Sequence, residues 1–197
     1  MVPPEVEFPI REWLLSPLNP AARDAARATA PSNSGWVAYI ARDQAEGAVP
    51  ESIRFVKHRE RDGQHVCAVT WVDGEGTPKQ GVFSVVADAA GSYSIRGSHW
   101  GGSESFPVRR PWLNAGGGGR PLYIGGRVLG TNDAARVRIS LPGGAVVEDD
   151  VAEDGWALFP TTYPSLDNSV RAVAVAVLNA EGRLLNQHRL LGNSEPV

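Results

Sequence analysis

The stretch from Leu122 to Gly192 most constrains the fold, because it consists of short alternating runs separated by hairpin signals. In the run ARVRISL, apolar residues at every second position share one face and arginines share the other. Pro142-Gly143-Gly144 then predicts a turn into a second alternating run. Such runs are typical of a small antiparallel β-sandwich. The predicted strands are Leu122–Leu129, Ala135–Leu141, Ala145–Val151, Trp156–Phe159, Val170–Leu178 and Arg183–Leu190.

The region between Gly35 and Trp100 also alternates, and residues typical of turns join its predicted strands. Asp62-Gly63 and Ala90-Gly91 predict tight hairpins, and the stretch from Asp73 to Pro78 predicts a longer one. These connections predict an antiparallel meander.

Two segments before the meander have a different character. Residues 2–17 are rich in proline and are predicted to form an extended arm that ends in a helical turn around Ile10–Leu15. Asn19-Pro20 opens an alanine-rich run that closes at Pro31, which predicts a short helix with Asn19 as its N-cap.

The predicted fold class is therefore mainly β. An α+β N-terminal domain, with a short helix and an antiparallel meander, spans residues 1–115, and an all-β sandwich spans residues 122–197. The stretch from Gly97 to Gly119 is predicted to be loop, and residues 116–121 a glycine-rich linker between the domains. The four glycines are not followed by the Lys-Ser or Lys-Thr of a phosphate-binding loop.

Two family resemblances follow from these patterns. The second half, through YIGGRVLG, RVRISLPGG, VVEDDVAEDGWALFP and VRAVAVAVLNAEGRLL, resembles the immunoglobulin-like or transthyretin-like sandwiches of bacteria. It lacks the Cys–Trp–Cys core of antibody domains, so the resemblance concerns architecture. The first half, through RFVKHRERDGQHVCAVTWVDGEGTPKQGVFSVVADAAGSYSIRG, is similar to the sheet of the NTF2-like or cystatin-like class. That class includes enzymes, binding proteins and assembly modules, so the resemblance implies no particular activity.

Composition and missing motifs exclude several classes of function. The net charge is −3, with acidic and basic residues balanced in both halves, which argues against nucleic-acid binding. Cys67 is the only cysteine, so no intrachain disulfide or thiolate cluster can form. No signal peptide or membrane-spanning run is present, which predicts a cytoplasmic protein without membrane contact. No cofactor fingerprint or metal motif is found, so neither a cofactor nor a metal is predicted, and catalysis is not favoured.

Three polar residues of the meander are candidates for a ligand pocket: His58, His65 and Asp88. Alternation puts His65 and Cys67 on the same face, so a general base near a cavity is one interpretation. The other interpretation makes this a core face, with His65 exposed near the turn. The strand register, which decides what lies opposite His58, is not readable from the sequence.

The aromatic and basic residues before the glycine run form a second candidate site, for stacking on a partner. They are His99, Trp100, Phe106, Arg109, Arg110 and Trp112. In the alternative interpretation, Trp100 and Trp112 fill the interface between the domains, and the arginines pair with surface carboxylates.

The acidic run Glu148-Asp149-Asp150 admits a calcium site, but it lacks the spacing of an EF-hand. A solvated strand edge is the favoured interpretation.

Three functions remain open on these grounds. The leading hypothesis is a non-catalytic, two-domain binding or assembly protein that acts through a protein partner or self-association. The second is an NTF2-like enzyme or small-ligand binder, and it requires an open pocket in the first sheet. A face filled by aromatic residues would count against that hypothesis; the residues concerned are Trp36, Tyr39, Phe55, Trp71 and Phe83. The third is a structural subunit whose arm Val2–Ile10 docks on a neighbour.

Overall fold

The structure is a computed structural model, and over the residues that it describes it confirms a mainly β fold, with one α-helix and three antiparallel sheets. The residues that it describes are 1–15, 47–102, 110–118, 121–141, 144–161 and 173–190. The helix predicted between Asn19 and Pro31 lies outside these ranges, as do Trp36 and Tyr39.

The N-terminal segment forms the helix α1 (Pro4–Leu15), so the predicted extended arm is wrong. Pro9 lies inside the helix and removes one backbone hydrogen bond, which is why the prolines favoured an extended chain. The four-residue spacing of Val6, Ile10 and Leu14 overrides this preference, because it places all three side chains on one buried face.

The predicted meander is present as one sheet, called here the meander sheet, in which neighbours in sequence are neighbours in space. Asp62 and Gly63 have positive φ angles of 50° and 77°, as the predicted two-residue hairpin requires. The 3₁₀ turn Pro50–Ser52 precedes the sheet. Its strands are β1 (Arg54–Arg61), β2 (Gln64–Val72), β3 (Pro78–Ala87) and β4 (Tyr93–Gly102).

The remaining strands form two sheets that pack face to face as a β-sandwich. The middle sheet has the order β5-β6-β9, and the outer sheet has the order β11-β10-β7-β8. The strands of the middle sheet are β5 (Trp112–Gly118), β6 (Tyr123–Leu129) and β9 (Trp156–Pro160). Those of the outer sheet are β7 (Arg136–Ser140), β8 (Val146–Asp150), β10 (Val173–Leu178) and β11 (Leu184–Leu190).

The molecule is thus layered in the order helix, meander sheet, middle sheet, outer sheet. Cys67 and Phe83 face α1, whereas Val66 and Val82 face the middle sheet, as the alternation of a strand requires. Strand β9 is buried on both faces, which explains its continuous apolar sequence.

The predicted glycine-rich linker is wrong at Gly116, Gly117 and Gly118, which belong to β5 and pair with β6. The predicted loop from Gly97 to Gly119 is also wrong over the stretches that lie in β4 and β5. These glycines permit close packing: a Cβ atom on Gly116 would lie 2.6 Å from the ring of His99. The two predicted domains therefore meet across closely packed strands.

Candidate functional site

Of the predicted partner-binding residues, those whose side chains are described, His99, Arg110 and Trp112, do not form one surface. His99 and Trp100 lie in β4, and Trp112 is the first residue of β5. Phe106 and Arg109 lie outside the described residues, and nothing is described of the side chain of Trp100. Arg110 is exposed.

The ring of His99 is enclosed between the meander sheet and the middle sheet. Its Nε2 accepts a hydrogen bond from the backbone N–H of Gly116 at 3.2 Å, and its Nδ1 lies 3.2 Å from Oη of Tyr123. Because Nε2 accepts, the neutral ring carries its proton on Nδ1, which donates to Tyr123. The two rings stack with centroids 5.7 Å apart. Burial lowers the pKa of His99 to about 4, and the carbonyl of Gly125 partly offsets this effect.

Trp112 packs against the outer sheet, between the two sheets of the sandwich, whereas the interface predicted for it is the one between the two domains. Its ring stacks on His188 of β11 at a centroid distance of 3.8 Å. Nearby, the side-chain amide of Asn186 donates to the carbonyl of Pro111 at 2.7 Å. Both ring nitrogens of His188 are buried, and neither makes a hydrogen bond of normal geometry to a described residue. Burial lowers the pKa of His188, and the backbone of Leu113 opposes that shift. We call residues 110–112 and 186–189 the β5–β11 corner.

The two histidines of the predicted pocket are in contact with each other. His58 lies opposite Cys67, which settles the register, and its Nε2 lies 3.0 Å from Nδ1 of His65. The rings are inclined by only 8° and their centroids are 5.3 Å apart. The centroid distance exceeds the distance between Nε2 and Nδ1 by 2.3 Å (5.3 − 3.0), which is about the sum of the two ring radii. The rings therefore contact each other through these two nitrogens and do not overlap face to face. The two lone-pair directions therefore point at each other, which suits a shared N–H···N hydrogen bond and not a chelated metal.

Burial lowers the pKa of both histidines, and for His58 the charge of His65 adds to the effect. His65 is 8% exposed, so the interpretation of it as an exposed turn residue is wrong. Asp88 belongs to the β3–β4 turn instead, where its carboxylate accepts the N–H groups of Ala90 and Ser92 at 2.8 and 2.9 Å.

The face of the meander sheet on which a pocket was predicted is covered by α1. Ile10 and Leu14 pack with Phe83 and Trp71 in one cluster, and Phe55 lies against it. Trp13 also meets Phe83 edge to face at 5.3 Å, and other apolar residues complete the cluster. This packing supplies no argument for a ligand site on that face.

An ion cluster that the sequence did not indicate joins all three sheets. Nζ of Lys57, in β1, lies 2.5 Å from Oδ2 of Asp149, in β8. Nε of Arg59 lies 2.6 Å from Oδ1 of the same carboxylate. The backbone N–H of Leu158, in β9, donates to Asp149 at 2.7 Å. The side chains of Lys57 and Asp149 are 5% and 3% exposed, so this is a buried pair.

The surroundings of Lys57 identify the cluster as a structural tie. Besides Asp149, its ammonium group donates to the carbonyls of Asp150 and of Trp156, the latter at 3.0 Å. Burial lowers the pKa of Lys57, and the hydrogen bond to Asp149 opposes that shift. An ammonium group with its donors engaged in this way has no free lone pair for nucleophilic chemistry.

The acidic run is therefore only partly a solvated edge. Asp149 points inward, and the solvated interpretation is wrong for it, whereas Glu148 and Asp150 pair with Arg138 and Arg136 on the outer face. The inward carboxylate is occupied by cations of the chain itself.

Gln64 forms a second polar tie between the meander and middle sheets, and the sequence did not indicate it either. It is 1% exposed, and its Nε2 donates to the hydroxyl of Ser84 and to the carbonyl of Pro121. Its Oε1 accepts the N–H of Thr161 at 2.9 Å.

No protein-family model and no curated protein sequence matches this chain. Within the described ranges, no group of three or more His, Cys, Asp or Glu side chains is arranged to hold a metal ion. In the same residues, no helix has the length and apolarity needed to cross a membrane.

Proposed function

We propose that this protein is a non-catalytic binding or assembly module that contacts another polypeptide, in the first instance a second copy of itself. The contact surface is the β5–β11 corner together with the free edge of β11. The compartment that goes with this proposal is the cytoplasm. The balanced charge of the chain supports a protein partner over a nucleic acid.

The observation that carries the proposal is the position of β11 at one edge of the outer sheet. An edge strand presents backbone N–H and C=O groups that can pair with a strand of another chain. Among the described strands, β11 pairs only with β10. Leu184, at its start, is 51% exposed, and Gln187 and Arg189 are exposed as well.

Contacts within the chain order the β5–β11 corner beside this edge, which favours binding. Stacking of Trp112 on His188 and the hydrogen bond from Asn186 to Pro111 fix the start of β5 against β11. A surface that is already ordered loses less conformational entropy when a partner binds. Arg110 stands exposed at the end of this rigid segment, and arginine beside tryptophan is typical of residues that dominate binding energy.

The second edge of the outer sheet supplies a matched control. Val146, in β8, is 52% exposed, almost the same as Leu184 on the opposite edge. Replacing either residue with lysine adds the same charge at similar exposure. A lysine on a pairing edge blocks association of strands.

The test is sedimentation of the full chain across micromolar concentrations, with Leu184→Lys, Val146→Lys and Arg110→Ala compared. The expected result is an oligomer that is weakened about tenfold or more by Leu184→Lys and Arg110→Ala, and not by Val146→Lys. The proposal is contradicted if the wild-type chain stays monomeric at all these concentrations and β11 forms no crosslink to another polypeptide. Equal weakening by Leu184→Lys and Val146→Lys also contradicts it, because the contact would then not be at β11.

A further inference from the structure

Each boundary between the layers of this molecule contains a histidine that is at least partly buried. His65 lies on the helix side of the meander sheet, in hydrogen-bond contact with His58. His99 lies between the meander and middle sheets, and His188 lies between the middle and outer sheets. These are the four histidines of the chain, and burial lowers the pKa of every one.

His99 is the histidine whose contacts resist protonation most directly. The nitrogen that would take up the proton, Nε2, accepts a hydrogen bond from the N–H of Gly116. Protonation would therefore place two N–H donors against each other. Neither partner can move away easily, because Gly116 already lies against the ring and belongs to the paired strand β5.

The groups that face His99 from the packed elements do not compensate a positive charge. From β6, Tyr123 presents its phenol, which burial keeps neutral by raising its pKa, and Gly125 presents a carbonyl. From β5 the ring meets the backbone N–H of Gly116, and from β3 its neighbour in register is Val82. Within the described part of the chain, no carboxylate contributes to its titration.

We propose that acid opens this protein along the boundary between the meander sheet and the middle sheet, and that His99 is the group that takes up the proton. In the closed form the N–H of Gly116 opposes a proton on Nε2, and burial outweighs the favourable effect of the Gly125 carbonyl. In the open form it is surrounded by water, and protonation then holds the two sheets apart.

The direction of the effect follows from proton linkage. The open form binds a proton to His99 below the ordinary histidine value of 6.5, while the closed form stays neutral until about 4. The open form therefore gains population as the pH falls through this window. Between about pH 7 and about pH 5, the ratio of open to closed molecules rises roughly 20-fold for one such group.

Other contacts across the same boundary keep opening rare at neutral pH. The Lys57–Asp149 pair and the hydrogen bonds of Gln64 both join the meander sheet to its neighbours. Opening would expose apolar side chains on both sheets. These are Val66, Ala68, Val82, Tyr123, Trp156 and Leu158.

Two adjacent positions on β2 can report on the two faces of the meander sheet separately. Cys67 is fully buried on the face toward α1, and Ala68 is fully buried on the face toward the middle sheet. The unmodified chain therefore carries a thiol at the helix boundary. The variant Cys67→Ser with Ala68→Cys carries it at the boundary that we propose to open.

The experiment measures labelling of each buried thiol by dithiodipyridine, which reacts with thiols in acid, relative to a free thiol at the same pH. Between about pH 7 and about pH 5, we expect labelling at position 68 to accelerate roughly 20-fold. Burial also lowers the pKa of His58 and His65 at the helix boundary, so labelling of Cys67 is measured with and without His99→Gln and should not depend on that substitution. Adding His99→Gln should remove most of the acceleration, because glutamine can accept from Gly116 and donate to Tyr123 without titrating.

Three results would overturn the proposal. The first is an unchanged acceleration in His99→Gln. The second is an acceleration at Cys67 that His99→Gln also removes, which would indicate global unfolding. The third comes from an NMR titration of the unmodified chain, and it is a ring of His99 that titrates near its ordinary pKa in the closed protein. The NMR titration remains decisive if the variant at position 68 does not fold.

Discussion

Removing the carboxylate of Asp149 tests whether the buried ion cluster holds the three sheets together. Asp149→Ala leaves the ammonium of Lys57 buried, with only the carbonyls of Asp150 and Trp156 as partners. Deleting one partner of a buried pair costs about 3–5 kcal/mol, and the backbone N–H of Leu158 loses its acceptor as well. Arg59 is 43% exposed at its side chain and can turn to water, so it adds little. We therefore expect a loss of about 4 kcal/mol, a large part of the 5–15 kcal/mol that stabilises a typical domain.

Urea unfolding followed by circular dichroism measures this loss, with Asp150→Ala as the control. The side chain of Asp150 is 72% exposed and pairs with Arg136 on the surface, so we expect its removal to cost less than about 1 kcal/mol. The double variant Lys57→Met with Asp149→Leu should recover most of the loss, because no unpaired charge remains buried. The buried pair does not hold the sheets together if Asp149→Ala lowers the free energy of unfolding no more than Asp150→Ala does. The same conclusion follows if the double variant is less stable than Asp149→Ala.

Two further substitutions test the packing between the layers. Gly116→Ala places a Cβ atom 2.6 Å from the ring of His99 and should cost about 1–3 kcal/mol in urea unfolding. The cost should fall in the background of His99→Ala, and an equal cost in both backgrounds would show that the ring is not the obstacle. Ile10→Ala removes a fully buried side chain of α1 and should cost about 2–5 kcal/mol. Phe8→Ala changes a residue of the same helix that is 65% exposed and should stay within about 0.5 kcal/mol, so similar losses for both would argue against the packed face of α1.

The sequence predicts some residues of the candidate sites and not others. Of the three pocket candidates, His58 and His65 contact each other, because both lie on one face of a hairpin whose turn Asp62-Gly63 is readable, whereas Asp88 belongs to the β3–β4 turn. Lys57 and Asp149 were missed as a pair. They are distant in the chain and meet only because three sheets stack, and a charged residue in an alternating strand looks solvated until the opposite face is known to be covered.

Most of the local elements of this protein follow from short stretches of its sequence. Among the described strands, only β5 lies wholly in a stretch predicted as loop, and the others fall in regions where alternation predicts strands, because alternation directly reflects which side chains share a face of a strand. Turn residues such as Gly63, which has a positive φ angle, located the hairpins in the same way. Both signals depend only on neighbours in the chain.

How these elements pack, and in two places which element forms, depends on tertiary contacts. Gly116, Gly117 and Gly118 have the composition of a flexible linker, yet they form a strand that pairs with β6. The ring of His99 at Gly116 and the backbone of Tyr123 at Gly117 leave no room for a larger side chain. The prolines of α1 favour an extended chain, yet burial of Val6, Ile10 and Leu14 against the meander sheet stabilises a helix. In each case the free energy of packing between distant segments outweighs the local conformational preference, and that packing is not encoded in any short stretch of sequence.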